Sequence, residues 1–142
     1  FLDALQKRIS FLEDALNRLG LKATTLHARA EDAARMAAHR EQYDAAVSRA
    51  VANAATLQEL TLPFVKKGGI SIAWKGPGVA EEMTAAKRAA FLLGGTIRGT
   101  VDAPIPRRED WAHVLLLTDK TGVTPKTYPR KAGTPGKKPL GM

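Results

Sequence analysis

No cysteine occurs in this 142-residue chain. That excludes a disulfide scaffold, a thiolate zinc site and a cysteine nucleophile. The three histidines, His27, His39 and His113, are far apart and show no metal-ligand spacing, so no metal is expected. Neither G-x-G-x-x-G nor G-x-x-x-x-G-K-[ST] is present, and no Ser-His-Asp order is compelling. Long apolar runs are also lacking. Charge-free stretches such as Ala89–Ile97 are too short to cross a bilayer. No secretory signal is visible, because Phe1 begins inside a charged amphipathic pattern. No membrane partner is expected, and a reducing, cytoplasmic home fits. Position 1 is not methionine and a helix is already under way there, so an N-terminal part is expected to precede Phe1.

The chain does have charge, and it is unevenly placed. The net charge is +8. Residues 1–119 hold 16 basic and 14 acidic residues, whereas residues 120–142 hold six basic residues and no acid. From Thr121 onward the sequence is rich in Pro, Gly and Lys and reads as an extended arm. A polyanion, nucleic acid first, is the natural partner for such a segment; a merely solvated terminus is the plain alternative.

Leu5, Ile9, Leu12, Leu16 and Leu19 recur at helical spacing, and Gly20 is placed to end that helix. Ala23–Ala28 has strand length and β-branched residues. An alanine-rich helix is expected from there to about Arg40. Tyr43–Asn53 is the pivotal stretch. It reads either as a short strand delivering Ser48 and Arg49 to its carboxyl end, or as part of one helix from Glu41 to Leu60, which its alanines favour. A helix from Asn53 to about Val65 follows, stopped by Lys66-Lys67-Gly68-Gly69. Ile70–Trp74 reads as a strand, Val79–Leu93 as a helix closed by Gly94-Gly95. Thr96–Val101 and His113–Thr118 read as an antiparallel strand pair, joined through Pro104, Pro106 and the charged run Arg107–Asp110. Alternating helices and strands predict an α/β domain with a mostly parallel sheet.

In such a sheet the loops after successive strands share one edge, where ligands sit. That edge would gather Arg29-Ala30-Glu31, Ser48-Arg49-Ala50 and Lys75-Gly76-Pro77, together with Asp3. The acids Asp3 and Glu31 and the cations Arg49 and Lys75 there suit a charged, nucleoside-like ligand. Each residue also has a plain role: Glu31 at a helix start, Arg49 in an ion pair, Lys75 as a solvated loop residue.

Several stretches carry a resemblance to a known family. They are L-D-A-L-Q-K-R-I-S-F-L (Leu2–Leu12), A-R-A-E (Ala28–Glu31), Y-D-A-A-V-S-R-A-V-A (Tyr43–Ala52), L-P-F-V-K-K-G-G (Leu62–Gly69), W-K-G-P (Trp74–Pro77) and T-P-K-T-Y-P-R-K-A-G-T-P-G-K-K-P-L (Thr124–Leu140). The chain resembles the catalytic domain of the RsmG (GidB) family. These enzymes methylate guanine N7 in bacterial small-subunit ribosomal RNA with S-adenosylmethionine. The resemblance implies a Rossmann-like methyltransferase fold of strand order 3-2-1-4-5-7-6, with an antiparallel C-terminal strand pair. The family's first strand and glycine-rich cofactor loop would lie before Phe1. Residues 1–119 are then expected to form a partial methyltransferase domain, and 120–142 a basic RNA-contact arm.

By position, the resemblance implies that Asp3 meets the cofactor ribose, Ala30 and Glu31 the adenosine part, and Arg49 the cofactor near the transfer site. Lys75, Arg130 and Lys131 are implied as RNA contacts. The partner would be small-subunit ribosomal RNA or a ribosomal particle, and the protein is expected to be a monomer. Alternatives are a non-catalytic basic RNA-binding module on a degenerate Rossmann-like fold, and a dinucleotide-dependent oxidoreductase.

Overall fold

The computed structural model describes residues 1–49, 52–108 and 111–142. Ala50 of the Ser48-Arg49-Ala50 loop, and Glu109 and Asp110 of the charged connection, lie outside the described residues.

Two sheets form. In the first, β1 (Leu2–Asp3) pairs in parallel with β2 (Leu26–His27), aligning Asp3 with His27. In the second, β3 (Tyr43–Arg49), β4 (Val65–Lys75), β5 (Gly95–Asp102) and β6 (Val114–Lys120) lie in the order β3-β4-β6-β5. β3 runs parallel to β4, and β6 is antiparallel to both its neighbours. The β2-β1 and β3-β4-β6-β5 runs follow the order that the resemblance implied. The Ala23–Ala28 segment is, as expected, unpaired with the Tyr43 strand.

α1 (Gln6–Leu19) ends at Gly20, whose φ of 64° is the left-handed conformation that glycine adopts without penalty. Of its apolar face only Ile9 is buried; Leu5 and Leu19 stay exposed. α3 (Ala54–Thr61) starts where Asn53 accepts a hydrogen bond from the Thr56 amide at 2.9 Å, a side-chain N-cap. α4 (Val79–Leu92) packs against α3. The main core joins Ala54, Leu57, Ala73, Val79, Ala86 and Leu116 from both helices and the sheet. Small residues on the facing helices let them approach closely.

Three expectations are corrected. The helix after β2 is short: α2 spans Ala30–Ala33, and the chain then tightens into turns such as Arg35 N–H to Asp32 O at 3.1 Å. These turns aim Arg35 and Arg40 at the C-terminal segment. Lys66-Lys67-Gly68-Gly69 is not a helix end but part of β4, where the register jumps from Tyr43↔Val65 to Ala45↔Ile70. Pro63 lies in a 3₁₀ turn, Leu62–Phe64, that has already ended the helix. A Cβ at Gly69 would stand 2.4 Å from the Asp44 carbonyl, so the bulge needs glycine.

The third correction concerns residues 120–142, which pack back on the domain rather than extending from it. Arg40 donates to the carbonyls of Thr124 at 2.9 Å, Pro125 at 3.1 Å and Tyr128 at 2.8 Å. Arg35 donates to the Pro129 carbonyl at 2.6 Å. Lys120 is fully buried, with its ammonium on Glu41 at 2.9 Å, the Leu62 carbonyl at 2.7 Å and Thr124 Oγ1 at 2.7 Å. A short helix, α5 (Thr134–Lys137), buries Pro135 against α3 through the Thr56 hydroxyl, which donates to its carbonyl at 3.0 Å.

Candidate functional site

A cleft of about 1400 Å³ opens between the small sheet and the free edge of β3. Its walls include Asp3, Ala30, Glu31, Ser48 and Arg49. The four residues expected at a cofactor thus line one space, each placed at or just beyond the carboxyl end of a parallel strand. The cleft exceeds the roughly 300–1,000 Å³ typical of small-ligand pockets.

Asp3 closes β1 and starts the turn into α1. Its carboxylate accepts from the Leu5 amide at 2.8 Å and from Arg8 Nη1 at 3.2 Å. The Leu5 amide, and then Arg8, outweigh partial desolvation and hold its pKa below the ordinary aspartate value, so it is ionised at neutral pH. Glu31 sits in the first turn of α2, only 7% exposed. Its Oε1 accepts the Gly133 amide at 2.8 Å, which ties the cleft wall to the C-terminal segment. Arg49 ends β3, exposed, with its guanidinium 5.5 Å from the centre of the Trp74 ring. Ser48 Oγ is buried with no hydrogen-bond partner. Buried hydroxyls are rarely left unpaired, so this one is an available ligand donor beside Arg49. Two carboxylates able to accept from vicinal hydroxyls, one cation and one orphaned hydroxyl fit a nucleoside-type ligand.

The residues expected at RNA do not gather in the same way. Lys75 is held inward. Its ammonium pairs with Glu82 at 2.8 Å and donates to the Ala52 carbonyl at 3.1 Å, while Glu82 also accepts the Ala54 amide that begins α3. It is a strut rather than the solvated loop residue its sequence position suggested. Arg130, expected at an RNA surface, instead commits its guanidinium to Glu59, whose side chain is fully buried. Lys131 is exposed, as are Lys126, Lys137 and Lys138.

Sequence reasoning missed two groups. One is the set Arg35, Arg40, Glu41 and Glu59, which folds the C-terminal segment from positions far away in the chain. The other is a chain of rings at the carboxyl edge of β4. Trp74 meets His113 edge-on at 6.1 Å, and His113 lies 5.7 Å from Trp111. Its sequence signal was that the chain's two tryptophans sit at the end of one strand and just before another, Trp74 in β4 and Trp111 before β6.

Among the described residues, no group of three or more His, Asp or Glu could hold a metal. No described helix is long and apolar enough to cross a membrane.

Known proteins bear on this geometry. The family model GidB, rRNA small subunit methyltransferase G, matches residues 1–104. A ribosomal RNA small subunit methyltransferase G of Clostridium perfringens (strain 13 / Type A) is 49% identical over 140 residues, covering 98% of this chain and 58% of that protein. One of the same name from Leuconostoc citreum (strain KM20) is 44% identical over 140 residues, with the same coverage. The chain thus spans little more than half the length of the curated relatives it matches. An rRNA methylase structure from Streptococcus thermophilus aligns with a TM-score of 0.58 at 15% identity, covering 85% of this chain and 72% of that one, which shows a shared Rossmann-like fold. With strand-end residues, sheet order and sequence in agreement, the chain belongs to the GidB family, the rRNA small subunit methyltransferase G proteins.

Proposed function

We propose that this chain carries part of the cofactor site and the RNA-facing side of an enzyme that methylates N7 of a guanine in bacterial small-subunit ribosomal RNA. The observation that carries the reading is the gathering of Asp3, Ala30, Glu31 and Arg49 on one cleft at the carboxyl ends of parallel strands. When bound, S-adenosylmethionine would supply an electrophilic sulfonium methyl group. Asp3 would accept hydrogen bonds from its ribose hydroxyls, Ala30 and Glu31 would hold the adenosine part, and Arg49 would bind it near the transfer end.

Guanine N7 bears a free in-plane lone pair. That pair would form the new nitrogen–carbon bond to the methyl group that a bound S-adenosylmethionine would supply, the electrons of the broken sulfur–carbon bond remaining on sulfur. The methylated base carries the positive charge. No proton leaves before attack, so the reaction needs no cysteine nucleophile and no dedicated general base. Orientation and proximity supply much of the rate. The exposed lysines Lys126, Lys131, Lys137 and Lys138 are proposed to meet the RNA backbone, with Lys75 and Arg130 holding the framework beneath.

The test is methyl transfer from labelled S-adenosylmethionine to undermodified small-subunit RNA. Label recovered in N7-methylguanine is the expected result. RNA binding without any transfer would instead support a non-catalytic RNA-binding module.

A further inference from the structure

We propose that Trp111, His113 and Trp74 form a stacking platform for a single-stranded nucleobase next to the methyl-transfer cleft. The proposal rests on the RNA reading above and specifies how that RNA is held. Five groups follow one another along the carboxyl edge of the second sheet: Arg49, Trp74, His113, Trp111 and Arg108. Arg49 lies 5.5 Å from the Trp74 ring, and Arg108 lies 3.7 Å from the Trp111 ring. The three rings between them are spaced 6.1 and 5.7 Å apart. Trp111 remains 39% exposed, which is unusual for the largest apolar side chain. Nucleobases stack on such rings and on guanidinium planes whatever their sequence.

The platform meets the cleft at Arg49, which belongs to both. A base seated on it would be the neighbour of a base entering the cleft. The polar accounting points the same way. Among the described residues five buried side-chain polar atoms have no partner, and three of them lie at this edge: Ser48 Oγ, Trp74 Nε1 and His113 Nδ1. Two of these three, Ser48 Oγ and Trp74 Nε1, carry hydrogens with no acceptor, which a polar ligand seated at this edge would complete.

The Trp111 ring carries no charge, so its contribution is stacking rather than phosphate attraction, and this separates it from the lysines of the C-terminal segment. The net charge of +8 favours a nucleic acid as the source of the flat aromatic ligand.

The chain has two tryptophans and both belong to the platform, so intrinsic fluorescence reports on it directly. Titrating the protein with a short unstructured RNA oligonucleotide should quench that fluorescence, whereas an abasic strand of equal length should not. Trp111→Ala should weaken oligonucleotide binding roughly tenfold, with an unchanged salt slope, and Trp111→Phe should recover most of it. Circular dichroism of each variant checks that the fold is retained. Equal binding of abasic and base-bearing strands, or wild-type affinity in Trp111→Ala, would overturn the proposal. These readouts use no cofactor. A platform confirmed in a protein that transfers no methyl would mean that the enzymatic reading fails and the platform stands; methyl transfer with an unchanged KM in Trp111→Ala would mean the reverse.

Discussion

Glu59 Oε1 receives both the backbone amide of Arg130, at 2.7 Å, and its side-chain Nε, at 3.0 Å. The second carboxylate oxygen takes Nη2 at 2.7 Å. One fully buried carboxylate in α3 therefore fixes both the backbone and the side chain of a residue 71 positions later. A buried charge that loses its partner is costly. Arg130→Ala should destabilise the protein by about 3 kcal/mol or more, because Glu59 stays behind. Lys131→Ala, one position on and exposed, should change stability by no more than about 0.5 kcal/mol. Urea denaturation midpoints of the two variants decide it; similar values would mean that the pair does not hold the segment.

The cleft predicts cofactor affinity. Asp3→Asn and Arg49→Ala should each weaken S-adenosylmethionine binding about tenfold or more, the scale of a lost hydrogen bond to a charged group. Glu31 needs a subtler substitution, since it also accepts the Gly133 amide. Glu31→Gln keeps an acceptor for that amide while removing the charge. It should lower cofactor affinity with little loss of stability. Calorimetric titration measures the first, thermal melting the second, and wild-type affinity in all three variants would remove these residues from the site.

That Asp3, Ala30, Glu31 and Arg49 share one cleft was legible in the sequence because one topological rule governs them: loops after parallel strands share an edge. The Tyr43 strand was ambiguous for a local reason. Its alanines favour helix, and only its pairing with β4 makes it a strand. The folded C-terminal segment was not legible at all. Pro, Gly and Lys describe an extended chain to any short-window reading, and the groups that fold it, Arg35, Arg40, Glu41 and Glu59, lie some 70 to 90 residues earlier. The Gly68-Gly69 pair looked like a helix stop because a bulge and a cap draw on the same glycine conformations.

Salt dependence should report the exposed lysines. Replacing Lys126, Lys131, Lys137 and Lys138 by alanine should flatten the slope of log affinity against log salt, by roughly 0.7 for each single-strand phosphate that is no longer neutralised. Cofactor affinity should hold, because none of the four lines the cleft. An unchanged slope in filter binding across a salt series would mean that these charges only aid solubility.

Acid should loosen the junction between Glu41 and Lys120. Desolvation alone would raise the Glu41 pKa, but the Thr124 amide and the Lys120 ammonium prevail and hold it below the ordinary glutamate value. A depressed carboxylate contributes stability that is complete above its unfolded pKa and is lost as pH falls through the folded one. Denaturation midpoints should therefore drop in that acidic window, and Glu41→Gln should blunt the drop. Lys120 works at the other end. Burial pushes its pKa down, with Glu41 opposing, so the unfolded chain binds more protons in the alkaline range and stability should rise with pH there. Equal pH profiles for wild type and Glu41→Gln would refute the assignment.

Arg35 and Arg40 grip the C-terminal segment through its main-chain carbonyls, at Thr124, Pro125, Tyr128 and Pro129. Such a fastening does not see which side chains it holds. The surface of that segment can accordingly drift in sequence, gaining or shedding lysines, while the chain path stays put. Exchange at Lys126 or Lys131 should be silent for folding, whereas a single change at Arg40 releases three carbonyls of the segment at once. Natural variation is expected to be tolerated on the outer face and punished at the two arginines, a division of labour that lets recognition evolve on a fixed mount.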